Sequence, residues 1–398
     1  MDYDKLLSAR VKEIKPSGIR RFFDVAAEMG DCISLGVGEP DFVTPWEIRL
    51  AGINSLEAGK TYYSANAGLL KLREEICKYQ KRRFNLKYEP ESQTLVTVGG
   101  SEAIDLCLRS LINEGDEVIL PTPCFVCYDP ISHMCGAKVV TIPTKAENSF
   151  RLTAEELRAA ITPKTKVLIL PFPNNPTGAV MRREHLEEIG EVLRGTDIMV
   201  LSDEIYAELT YGDRRHVSFA EISEDAYNRT VIVNGFSKAY AMTGWRLGYA
   251  CGPKPVIAQM LKLHQFAIMC APTMSQYAAI VAMRECDDAV EMMAGEYNMR
   301  RRLVTDSFNR MGLECFEPEG AFYVFPSIKS TGMKSLEFCE SLLRSKRVAV
   351  VPGDAFGDSG EGFVRVSYSY SVSHLAEALK RIEDFLREIT GEQRNLKP

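Results

Sequence analysis

Little in this sequence points towards nucleic acid, a membrane or a metal. Lys and Arg number 48 against 54 Asp and Glu, a net charge of -6, so there is no general positive excess for a phosphate backbone. No stretch approaches the ~18 uninterrupted apolar residues of a membrane span. Met1–Arg10 alternates charged and apolar residues and lacks an apolar core segment, so no secretory leader is expected. Asn228-Arg229-Thr230 matches the glycosylation triplet, which without a secretory route reads as chance. The five histidines, at 133, 185, 216, 264 and 374, share no metal-ligand spacing. No Gly-x-Ser-x-Gly elbow occurs, and no Gly-x-Gly-x-x-Gly follows a candidate strand, which disfavours a dehydrogenase. There is no internal repeat and no low-complexity segment. With 45% hydrophobic and 26% charged residues, a disordered chain, a collagen and a coiled-coil rod are excluded.

What is present is a chain of 398 residues, long enough for two or three domains. Its eleven cysteines are scattered, odd in number and mostly set in apolar stretches. That is the usage of reduced thiols in a cytoplasm, packed as small hydrophobes. Cys124-Phe125-Val126-Cys127 has redox or metal spacing, but no second Cys or His pair accompanies it, so packing is the expected role.

Short apolar runs alternate with helical patterns from residue 94 onward. Candidate strands are Thr94–Val98, Glu117–Leu120, Lys138–Ile142, Lys166–Leu170, Ile198–Ser202, Thr230–Val233 and Leu247–Cys251. Amphipathic stretches lie between them, for example Ser101–Asn113 and Arg182–Arg194. Such alternation predicts an α/β fold, a mostly parallel seven-stranded sheet with helices on both faces. The basic run Lys78–Phe84 reads as a solvated helix face. Towards the C-terminus one long helical pattern spans 272–311. The candidate strands Ala321–Phe325, Val348–Val351 and Phe363–Tyr368 and a final helix over 373–389 follow, which predicts a smaller α+β layer. The expected division is a large unit over 47–285 and a small one built from 1–46 and 286–398.

Ligands of open α/β sheets bind beyond the carboxyl ends of the strands. After the first candidate strand, Gly99-Gly100-Ser101-Glu102 opens a helix; such a turn presents amides to an anion or simply caps the helix. After the fourth, Pro171–Gly178 is a rigid turn carrying the amide Asn175. After the fifth comes Asp203-Glu204-Ile205-Tyr206, an acid and a phenol that form a candidate polar pair. After the sixth, Lys238 sits among apolar and small residues, and Arg246 follows eight positions on. A partly desolvated Lys loses proton affinity and attacks carbonyls, whereas an isolated one more often serves a surface ion pair. An amine, an acid, a phenol, an amide, an Arg and a Gly-rich helix start at one sheet edge suit a phosphorylated aromatic aldehyde.

The run Ser237–Gly248, the Asn175–Gly178 turn, Asp203–Tyr206 and the segment Gly38–Pro45 together resemble the pyridoxal-phosphate aminotransferases of class I/II, fold type I. The resemblance covers nearly the whole chain and is nearest to the archaeal-type aromatic group beside the aspartate group. It implies that Lys238 forms the Schiff base with pyridoxal 5'-phosphate, that Asp203 keeps the ring nitrogen protonated, and that Tyr206 and Asn175 bond the ring's phenolic oxygen. It also implies that Arg246, Ser237 and the amides of Gly100, Ser101 and Glu102 bind the phosphate, and that Phe125 stacks on the ring, though Phe125 also reads as core. Arg365 would clamp the substrate carboxylate, and Gly38 would give it a backbone contact. Tyr63 would reach the phosphate of a neighbouring subunit, so a homodimer with shared sites is implied. One departure stands out: many relatives carry Ser where this chain has Gly235.

The implied reaction is a ping-pong transamination of an aromatic amino acid, aspartate or both against a 2-oxo acid such as 2-oxoglutarate, in the cytoplasm. The alternatives are a carbon–sulfur β-lyase on the same fold and a cofactor-sensing regulator; because the family pattern starts almost at once, the DNA-binding module of the latter is not expected. Neither a nucleic-acid nor a membrane partner is expected.

Overall fold

A computed structural model describes residues 1–14, 31–212 and 215–391. Parts of the expected small unit, 15–30 and 392–398, lie outside the described residues. The strands are β1 (Ile33–Ser34), β2 (Thr94–Thr97), β3 (Glu117–Thr122), β4 (Lys138–Pro143), β5 (Thr165–Leu170), β6 (Met199–Asp203), β7 (Thr230–Gly235), β8 (Gly248–Cys251), β9 (Tyr323–Val324), β10 (Val348–Ala349), β11 (Val351–Pro352) and β12 (Val364–Ser367). Seven of them form one sheet in the order β2-β8-β7-β6-β5-β3-β4. Only β8 runs antiparallel to its neighbours, β2 and β7.

The central strands are apolar on both sides because both sides are covered. Val167 and Ile169 of β5 face a core with Leu106 and Met260, from helices Gly99–Leu111 and Lys254–Ala267. Leu168 and Leu170 face the opposite core, with Leu186 and Ile189 of helix Arg183–Leu193. Each such side chain contributes about 1.5–3 kcal/mol on burial. The same alternation holds in β7, where Val231 and Val233 point to one face and Ile232 to the other.

A second layer holds the antiparallel sheet β11-β12-β9 and the parallel pair β1-β10. Helices Asp287–Arg310, Ser335–Lys346 and Val372–Thr390 pack on it. The single helical pattern expected over 272–311 is in fact two helices, Thr273–Glu285 and Asp287–Arg310. The break falls at Cys286, whose ψ of 24° leaves the helical range. Asp287 and Asp288 then favour a fresh helix start, where carboxylates meet the positive end of the peptide dipoles. Helix Ala9–Glu13 lies against helix Tyr128–Met134 of the large sheet, with Glu13 2.8 Å from His133. The basic run in helix Leu70–Phe84 is not wholly solvated: Tyr79 and Gln80 are buried, and Arg83 pairs with Glu208.

Candidate active site

A cavity of about 950 Å3 opens at the carboxyl ends of the parallel strands. Lys238, Asp203, Arg365 and Arg246 line it, and so do Tyr206, Asn175, Ser237, Phe125, Gly38, Gly100 and Ser101. Glu102 and Tyr63 do not. Glu102 turns its carboxylate to Val98 and His264, and Tyr63 is 77% exposed on the chain surface.

Each element delivers its side chain for a local reason. Strand β6 ends on Asp203, whose two oxygens accept the Tyr128 phenol at 2.7 Å and the Ile205 N–H at 3.1 Å. Asp203 and Tyr206 line the same cavity and interact electrostatically, but no hydrogen bond joins them. Tyr206 lies beyond the strand end and shares a 2.9 Å hydroxyl contact with Tyr323 instead. After β5, the Asn174 side chain accepts from the Thr177 N–H and hydroxyl, which pins the turn and frees Asn175. Asn175 spends its carbonyl oxygen on Arg365 at 3.0 Å, so its amide hydrogens remain for another acceptor.

Burial shifts the two central charges in opposite directions. It pushes the Asp203 carboxyl up to about 6, partly offset by the bond from Tyr128. It brings the Lys238 amine down to about 8; the Glu39 carboxylate works against this, while Arg365 and Arg246 reinforce it. Lys238 Nζ rests 2.5 Å from the Gly38 carbonyl oxygen. A Lys so disposed is much nearer to a free amine at neutral pH than a surface one.

The anion-binding features lie on either side. Helix Gly99–Leu111 begins without a side-chain cap, so its first amides are open. The Arg246 guanidinium lies beside it, 2.8 Å from where a Gly99 Cβ would stand. Gly235 is explained by crowding: a Cβ there would sit 3.0 Å from Gly248 Cα and 3.1 Å from the Leu247 carbonyl oxygen. Arg365, only 4% exposed, stacks 4.5 Å from the Tyr323 ring centre and 4.9 Å from that of Phe356. It donates to Asn175 and to the Gly36 carbonyl, its Nε has no partner, and no described carboxylate pairs with it. A buried cation without a counter-ion is costly, so the cavity is built to receive an anion. This donor set fits a phosphorylated aldehyde and a carboxylate substrate together.

Tyr128, Tyr323 and Glu39 enter the site without having been singled out in the sequence. Tyr128 follows Phe125 by three residues in one turn, and that spacing is the signal that could have found it. Tyr323 is brought in by pairing of β9 with β12, which no local pattern announces.

Residues 30–382 match the family described as aminotransferase class I and II. The Bacillus subtilis (strain 168) protein YugH is 52% identical over 384 residues, covering 96% of this chain and 99% of that protein. An aspartate aminotransferase of Pyrococcus abyssi is 45% identical, covering 96% of this chain and 98% of that one. The crystal structure of an aromatic aminotransferase from Pyrococcus horikoshii OT3 superposes with a TM-score of 0.89 at 42% identity, covering 94% and 100% of the two chains. The chain belongs to the class I and II aminotransferases. It is an enzyme, a transaminase of fold type I dependent on pyridoxal phosphate. No described helix is long and apolar enough to cross a membrane.

Proposed function

We propose that this cavity exchanges an amino group between an aromatic L-amino acid, aspartate or both and a 2-oxo acid such as 2-oxoglutarate. The observation that carries the reading is the buried, unpaired Arg365 facing the same cavity as the desolvated Lys238. The first asks for a carboxylate, the second for a carbonyl. The names of the similar aspartate and aromatic enzymes support the substrate range.

Pyridoxal phosphate, when bound, supplies an aldehyde for the Lys238 amine and a ring that takes up the electron pair released at the substrate's α-carbon. Lys238 would hold it covalently, and its amine, when free, would serve as base and then acid for the substrate's α-carbon proton. Asp203, kept off water, would stabilise positive charge on the cofactor's ring nitrogen. Tyr206 and the spare Asn175 amide hydrogens would hold the cofactor's phenolic oxygen, and Phe125 would pack against its ring. Gly100 and Ser101 would offer amides to the phosphate, beside Ser237 and Arg246, whereas the Glu102 N–H is taken up by the Val98 carbonyl as the helix's first intrahelical bond. Arg365 takes the substrate carboxylate with its two-pronged donor geometry, and Gly38 borders it. Tyr63 serves the site of a second copy, in a homodimer working in the cytoplasm. In this reading the large, cofactor-binding unit is 47–285, with 1–46 and 286–398 as the smaller unit, which brings Gly38 and Arg365 to the cavity.

Lys238→Ala is expected to abolish both turnover and the visible absorption of the bound cofactor. A wild-type protein left colourless after cofactor addition would overturn the site assignment. Single-turnover mixing with Tyr, Phe and Asp, following that absorption, ranks the substrates. Asp reacting far faster than Tyr and Phe would remove the aromatic preference.

A further inference from the structure

Glu102 occupies the first turn of helix Gly99–Leu111, the turn whose amides are read above as the phosphate cradle. A carboxylate there competes with a phosphate for the same positive helix end and repels it. Yet Glu102 does not line the cavity. One of its oxygens accepts the Val98 N–H, and the other takes His264 Nδ1 at 2.7 Å. An Nδ1–H on His264 is the donor that satisfies a carboxylate oxygen at this distance. His264 comes from helix Lys254–Ala267, is fully buried, and its Nε2 has no partner among the described residues. A polar ring placed in the core with one orphaned nitrogen is costly, and its one bond is to Glu102.

We propose that Glu102 and His264 are positioning residues for the cofactor's phosphate. Glu102 ties the residue before the helix to its first turn. His264 holds the Glu102 carboxylate away from the Gly100 and Ser101 amides and offsets its charge. The proposal rests on the reading that the phosphate sits at this turn.

The test titrates cofactor-free protein with pyridoxal phosphate and, separately, with pyridoxal, following visible absorption, with inorganic phosphate as competitor. His264→Leu releases a charged carboxylate beside the amides, and its affinity for pyridoxal phosphate is expected to fall about tenfold. Glu102→Gln keeps the shape and removes the charge, and binding should tighten about threefold. The double variant should bind more tightly than His264→Leu alone. Pyridoxal binding should stay within about twofold throughout, since it carries no phosphate. Should His264→Leu fail to fold by thermal unfolding, the sign of the Glu102→Gln effect still decides. Equal weakening of both ligands in both variants marks a merely structural pair and overturns the proposal. A preference for pyridoxal phosphate that neither variant moves overturns the proposal alone. A wild type that binds the two ligands equally, with no competition from phosphate, overturns the underlying reading and the proposal with it.

Discussion

Asp203 and Lys238 show how one cause, removal from water, gives an acid and a base their separate tasks. The Asp203 carboxyl stands near 6 in the folded protein against 3.8 in an exposed chain. Between those values the folded state binds more protons than the unfolded one. Stability of the cofactor-free protein therefore falls as pH climbs through this window and stays lower above it. Lys238 is the mirror case: near 8 folded against 10.5 exposed, the unfolded state binds more protons between them, and stability rises with pH there. Asp203→Asn removes the first effect. Thermal unfolding of the cofactor-free variant should show a gain over wild type near pH 8 on the order of 3 kcal/mol, shrinking towards pH 4. A difference that does not vary with pH would show that Asp203 is not held in this way.

At the scale of elements, the close approach of β8 to the start of helix Gly99–Leu111 shapes the phosphate end of the cavity. Gly248 makes that approach possible: a Cβ there would lie 2.5 Å from the Gly99 carbonyl carbon and 2.7 Å from the Gly100 nitrogen. Both are backbone atoms that cannot swing aside. Gly248→Ala is expected to cost about 1–3 kcal/mol in thermal unfolding of the cofactor-free protein. It should also weaken cofactor binding, because the turn it displaces carries the open amides. Unchanged stability and binding would mean that the helix can retreat freely. The strands themselves were legible in the sequence, because Val167–Leu170 and Val231–Val233 are apolar runs closed by turn residues. Their order was not: β2 pairs with β8, some 150 residues away, through backbone bonds that carry no residue signature. The cavity shares this division. Lys238, Asp203 and Asn175 stand in the turns that follow apolar runs and could be read there. Tyr323 reaches the site only through tertiary packing, and the break at Cys286 interrupts a periodicity that continues on both sides of it.

The surface of the whole molecule carries one more message. Helix Trp46–Glu57 turns Ile48 and Gly52 inward yet exposes Trp46, Leu50, Ile53 and Leu56, an apolar stripe at helical spacing on its outer face. It packs on helix Thr273–Glu285, whose first residue bonds the Tyr62 carbonyl, while Asn66 bonds that of Met269. These links carry the apolar surface on through Tyr62 and Tyr63 to Phe266, 87% exposed, Ile268 and Met269. A patch of this composition on one side of a chain is the mark of an interface rather than of a solvated face. The proposed homodimer would bury it and bring Tyr63 to the neighbouring cavity. Ile53→Glu combined with Phe266→Glu should then shift the sedimentation coefficient from dimer to monomer at micromolar protein. The monomer should also hold pyridoxal phosphate less tightly, having lost the Tyr63 of a second copy. A wild type that sediments as a monomer, or a variant that stays dimeric with unchanged cofactor affinity, would place the interface elsewhere and leave Tyr63 without its assigned role.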